Sequence, residues 1–209
     1  SHEILLDLHS FRSPAEPFVF CGPRDNIGDV EPFRHGDAEW SFATTLGVDL
    51  VIHGWLDAYA IYLTRRAALG HLTRGMAEGF GTTEYMRFSG GYGVTLECGQ
   101  HDDPVSGDIA YRGILNALAH LGLIDAPAPA RSATTAIELV DALVCDAKGD
   151  KLAKNWRTGD AVKSGETIIA RAGGAVVAAA EDGYLVFPNP AAEPGELMAY
   201  VGVKSARLR

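Results

Sequence analysis

The amino-acid sequence predicts an α/β chain in which a mixed sheet with helices is followed by a small all-β region. Three observations carry that reading. Apolar runs at residues 4–10, 18–21 and 48–52 are too short for helices and read as buried strands. Residues 38–46, 58–79 and 108–121 space their apolar side chains as helices do. From residue 136 onward the texture changes to short apolar runs broken by glycines and acidic turns, the pattern of strands joined by tight connections. The Ala-Pro-Ala-Pro run that begins at Ala126 separates the two textures. It divides the chain into residues 1–126, a linker at 127–135 and a β-rich region at 136–209.

Each element has its own signal. Residues 4–8 are apolar apart from Asp7, and His9 follows two positions on. Side chains alternate along a strand, so Asp7 and His9 share a face. Pro14 and Pro17 exclude helix from the next loop, and Gly22-Pro23 ends the second strand. Residues 24–37 are polar and turn-rich, with Arg24 and Arg34 read as solvated. Gly47 closes the first helix, and His53 at the end of the following strand reads as a structural histidine. Within 58–79, Arg65, Arg66 and Arg74 point outward. Residues 87–93 read as a loop loosened by Gly90, Gly91 and Gly93, before a short strand that ends on Glu97. His101-Asp102-Asp103 is a solvated turn, since three adjacent residues cannot all face one point. In the next helix Ile109, Ile114, Leu115, Leu118 and Leu121 form the buried stripe, and Gly122 suits the C-terminal cap.

Composition narrows the function classes. The 209 residues are 47% hydrophobic and 22% charged, which suits a globular chain with a real core. A net charge of −9 argues against nucleic acid or an anionic membrane as partner. It leaves room for an anionic small molecule held by a local arginine. Cys21, Cys98 and Cys145 are odd in number and far apart, so they form neither a zinc ribbon nor a disulfide framework, as expected of a cytoplasmic protein. No apolar run reaches the roughly 18 residues of a membrane-spanning helix.

Two stretches carry chemistry. One is Asp7-Leu8-His9-Ser10, a carboxylate beside an imidazole able to ligate a metal through a neutral ring nitrogen. The other is Gly93-Val94-Thr95-Leu96-Glu97-Cys98-Gly99, preceded by Arg87 ten residues before Glu97. In this order and spacing they resemble the succinylglutamate desuccinylase/aspartoacylase family, zinc amidohydrolases with a carboxypeptidase-like (phosphorylase/hydrolase-like) mixed sheet. The resemblance extends to the tail, where residues 136–209 look like the barrel-sandwich hybrid that also ends aspartoacylases. The turn at Gly173-Gly174 carries no lysine, so a swinging-arm carrier is not expected.

The resemblance implies a role for each matched residue. His9 would be a zinc ligand and Glu97 the catalytic base. Arg87 would pair with a substrate carboxylate, the alternative for it being a structural ion pair with a nearby Asp or Glu, and Asp7 would orient the site from behind His9. The implied reaction is hydrolysis of the amide of an N-acyl amino acid or a related small amide. Where aspartoacylases place a substrate-binding tyrosine this chain has Glu193-Pro194, so N-acetylaspartate is not the first expectation. The family's other two zinc ligands come from a Gly-x-His-Gly-(Asn/Asp)-Glu motif upstream, and no His-x-x-Glu pair occurs here. The chain, opening on Ser1-His2 as if from a cleaved tag, is therefore expected to be the later part of a longer protein. It is expected to bind Zn2+ weakly or not at all alone, and to be inactive alone. A homo-oligomer is compatible with the sequence. Two alternatives stay open: a carboxypeptidase-like peptidase, and an inactive fragment with a binding or oligomerisation role.

Overall fold

The computed structural model describes residues 3–11, 15–24, 33–73 and 75–208. Pro14, residues 25–32 of the polar run and Arg74 lie outside them. The described residues form two compact units that are not contiguous in sequence. The first comprises residues 1–54, 80–137 and 205–209, and the second residues 55–79 and 138–204. The second unit thus gathers a helix from the middle of the chain with the strands of the tail, a division that differs from the contiguous one at 127–135.

The first unit is built on four strands in the order β1-β4-β2-β3. They are β1 (Ile4–Phe11), β2 (Phe18–Phe20), β3 (Leu50–His53) and β4 (Tyr92–Gln100). β1 runs parallel to β4, β4 antiparallel to β2, and β2 parallel to β3, so the sheet is mixed, as the sequence predicts. β1 differs from expectation in burial: none of its residues is fully buried, because it is the first strand in the sheet order. β4 is the buried strand. Its Val94, Leu96 and Cys98 enter a core with Val19, Val51, Phe42 and Leu46.

Helices α1 (Gly36–Ala43), α3 (Thr82–Phe88) and α4 (Val105–His120) belong to this unit. The α4 stripe is narrower than its periodicity suggests. Gly113 and Ala117 are its buried residues, and Ile109, Ala110 and Leu121 pack on the core, whereas Ile114 and Leu115 are exposed. A side chain on Gly113 would collide with Leu96, so the small residues set how closely α4 meets β4. Gly122 takes a positive φ of 66° and ends the helix as predicted. α3 is the larger correction. Residues 82–88 were expected to lead into a loop at Arg87, yet they are helical through Phe88, and the turn is confined to Ser89–Gly91.

The second unit holds α2 (Trp55–Ala68) and the strands of the tail. β5 (Thr135–Val144) begins in the first unit and continues into the second. There β10 (Gly183–Val186) pairs antiparallel with both β11 (Leu197–Lys204) and β7 (Ala161–Val162). A separate three-stranded sheet joins β6 (Lys151–Leu152), β8 (Thr167–Ala170) and β9 (Val176–Ala178). Trp156, Ile168, Ile169, Leu185 and Met198 belong to the core of this second unit. Asp150 ties the β5–β6 turn to the β8–β9 turn, accepting bonds from Arg171 and from the N–H groups of Ala172, Asp146 and Ala147. Burial alone would raise its pKa, but these donors outweigh burial and hold it at about 2.

Candidate active site

The pairing of β1 with β4 decides what meets at their carboxyl ends. Asp7 lies opposite Thr95 and His9 opposite Glu97. Paired residues of adjacent strands point to one face, so Asp7, His9 and Glu97 share the face opposite Val94, Leu96 and Cys98. The carboxyl ends of parallel strands are where open α/β sheets place their ligands. The register is irregular just beyond His9, so the strand end turns away after the histidine has been placed.

Distances then divide the roles. His9 Nε2 lies 3.1 Å from Asp7 Oδ2, and Nδ1 lies 3.8 Å from Glu97 Oε1. The imidazole is half exposed, while Glu97 is buried to 8%. Glu97 Oε2 is enclosed and has no hydrogen-bond partner among the described residues. Burial pushes the Glu97 pKa up, His9 opposes that, and the charge of Asp7 adds to it. The neighbouring Cys98 thiol is pushed up to about 11 by burial and by Glu97, so it stays protonated and is no nucleophile. Asp7 Oδ2 also accepts the hydroxyl of Thr82, the first residue of α3. Ser10 Oγ lies 2.7 Å from His101 Nδ1, which ties the loop after β1 to the turn after β4. Asp103 caps the N–H of Val105, in keeping with a structural turn.

Arg87 requires a correction. Expected to face a substrate carboxylate, it is 3% exposed and enclosed by protein partners. Its Nε and Nη2 donate to the two oxygens of Glu39 on α1, both at 2.9 Å. Nη1 donates to Glu84 at 3.1 Å, Nη2 also to the carbonyl of Gly93 at 2.9 Å. The physical reason is the helical path of 82–88, which turns Arg87 inward toward α1 and away from the β1–β4 ends. The ten-residue spacing fixes its distance along the chain, not its direction. Glu39 and Thr82 were not singled out from the sequence: one reads as an ordinary helix-surface acid, the other as an ordinary helix start.

Zinc can be tested against the donor set. His9 is chemically suited to be one ligand, with one ring nitrogen beside Asp7 and the other open. Among the described residues no group of three His, Cys, Asp or Glu is placed to hold a metal ion. One ligand is not a zinc site. His53, read from the sequence as a structural histidine, is buried in the first unit with Nε2 2.7 Å from Ser205 Oγ.

No family model matches the chain, and no curated protein matches it. Solved structures do. The product-bound ectoine utilization protein EutE (DoeB) from Ruegeria pomeroyi superposes with a TM-score of 0.63 at 19% identity, covering 96% of this chain and 58% of that one. Succinylglutamate desuccinylase from Vibrio parahaemolyticus gives 0.63 at 15% identity, over 95% of this chain and 53% of that one. The succinylglutamate desuccinylase/aspartoacylase from Rhodobacter sphaeroides gives 0.63 at 17% identity, over 97% and 59%. This chain thus spans little more than half the length of these structures. Nearly all of it is accounted for by a fold they share: it has the fold of the succinylglutamate desuccinylase/aspartoacylase proteins, the family its two motifs resemble.

Proposed function

We propose that this chain is the part of an amide hydrolase of that family which carries the general base, and that the base is Glu97. The observation that supports this best is the enclosed Oε2 of Glu97 beside His9. A buried carboxylate oxygen without a partner is costly for the fold, and such cost is retained where a reacting group needs it. Hydrolysis of an amide requires a proton to leave the attacking water and reach the departing nitrogen. Glu97 Oε2 takes that proton and delivers it, a contribution of roughly 10²–10⁴-fold. In the complete protein His9 would be one ligand of a zinc whose remaining ligands lie outside this chain, and a zinc held there would polarise the carbonyl and lower the pKa of a bound water. The substrate is the amide of an N-acyl amino acid or a related small amide, and the compartment is the cytoplasm. With Arg87 enclosed, its carboxylate is recognised by another group. For the tail we keep the barrel-sandwich reading of the sequence.

The test is Glu97→Gln in the complete protein, assayed against N-acetyl and N-succinyl amino acids. kcat is expected to fall by about 10²-fold or more with metal content unchanged. An unchanged kcat, or loss of the metal, overturns the role given to Glu97.

A further inference from the structure

We propose that Thr82 is a positioning residue of this site: its hydroxyl holds Asp7 so that Asp7 receives the Nε2–H of His9, leaving Nδ1 as the ring nitrogen that faces Glu97. Two contacts on one atom carry the proposal. Thr82 Oγ1 donates to Asp7 Oδ2, and the same oxygen lies 3.1 Å from His9 Nε2. A neutral imidazole has a single ring proton, so the nitrogen that keeps it determines which one presents a lone pair. With the proton on Nε2, the lone pair is on Nδ1, 3.8 Å from Glu97 Oε1.

Asp7 cannot enforce this alone. Its side chain is 21% exposed, so a carboxylate held only by the histidine is free to rotate toward water. Thr82 removes that freedom because its own position is fixed from the far end of its helix. Arg87, five residues on, is locked to Glu39 and to the Gly93 carbonyl of β4. At about 1.5 Å of rise per residue, that anchor is roughly 7.5 Å from Thr82, within one rigid turn and a half. The enclosed arginine thus acts on the open site through a helix, not by touching substrate.

The proposal deepens the reading of His9 given above and rests on it for function, but its test needs no activity. Long-range 1H–15N spectra of the 209-residue chain report the tautomer of each imidazole, with His9 assigned by loss of its signals in His9→Gln. His9 is expected as the Nε2–H tautomer. In Thr82→Val the ratio of Nε2–H to Nδ1–H is expected to fall about fivefold, the weight of one hydrogen bond, and Thr82→Ser is expected to restore it. A His9 that is Nδ1–H in the unmodified chain, a ratio unmoved by Thr82→Val, or a failure of serine to rescue overturns the proposal. Loss of the fold in both Thr82→Val and Thr82→Ala overturns it too, since a structural role would then suffice. A positive tautomer result beside an active Glu97→Gln enzyme would leave Thr82 in place and remove only the role of Glu97.

Discussion

Two charged clusters lie within the first unit, and they are built on opposite terms. In one, Arg87, Glu39 and Glu84 are all buried and every carboxylate oxygen has a donor. Besides the guanidinium, the N–H groups of Gly22 and Gly93 bond Glu39, and the N–H of Gly81 bonds Glu84. In the other, Asp7, His9 and Glu97 lie at strand ends, one imidazole half in water and one carboxylate oxygen enclosed without a partner. Buried charge is tolerated when saturated with hydrogen bonds, and removing one member then exposes the rest to an uncompensated interior. An unsaturated cluster holds capacity in reserve for something that is not protein. The difference is the one expected between a structural ion network and the site proposed above, and it puts Arg87 with the former.

The sharpest way to break this comparison is Arg87→Ala. It leaves Glu39 and Glu84 buried without their cation, and a loss of about 3–5 kcal/mol is expected in urea unfolding. Arg87→Lys should recover little, because an ammonium cannot reproduce the fork onto Glu39. A stability change within error of zero would mean that the cluster is not structural. A smaller effect concerns His53, packed against Ser205 in the same unit. Burial, with the charge of Arg207 added, lowers its pKa from 6.5 to about 4. Between those values the unfolded chain binds a proton that the folded one does not. Stability should therefore decline as pH falls from 6.5 to 4, by about 3 kcal/mol from this group. His53→Gln should flatten the decline across that window, and a parallel pH profile for the variant would contradict it. The smallest effect has the opposite sign. Glu97→Gln removes a charge that is buried without full compensation, so a gain of about 1 kcal/mol is expected in thermal unfolding. If Glu97→Gln instead destabilises as much as Arg87→Ala, the two clusters are of one kind.

What the sequence made legible follows the range over which each signal acts. β1, β2, β3, α4 and the glycine at 122 come from local pattern, and they stand where the pattern puts them to within a few residues. The shared face of Asp7 and His9 is likewise local, a matter of alternation. That His9 lies beside Glu97 depends on the register of two strands more than eighty residues apart, and only the family motifs pointed to it. Arg87 failed for the same reason in reverse. Its direction depends on Glu39, forty-eight positions away, and on a short helix whose Gly90 and Gly91 made it look like loop. The burial of β1 and the inward stripe of α4 were overestimated because apolar character reports what a side chain tolerates, not which neighbours the sheet order gives it. Thr82 left no signal at all: a threonine at a helix start is commonplace until its hydroxyl is seen on Asp7.

Gly22 offers a different kind of consequence. A methyl group added there would come within 2.6 Å of Arg87 Nε, 2.8 Å of Arg87 Cζ and 2.9 Å of Glu39 Oε1. The missing side chain at 22 is thus the space that the ion pair occupies. Three positions scattered over sixty-six residues should therefore vary together as a single inherited character. A lineage that keeps the arginine and the glutamate would be expected to keep the glycine, and one that loses the pair would be released to place alanine or serine there. Descent would conserve the three together or not at all, so a surveyor of related genes could recognise the closed cluster without a structure, from the company that one glycine keeps.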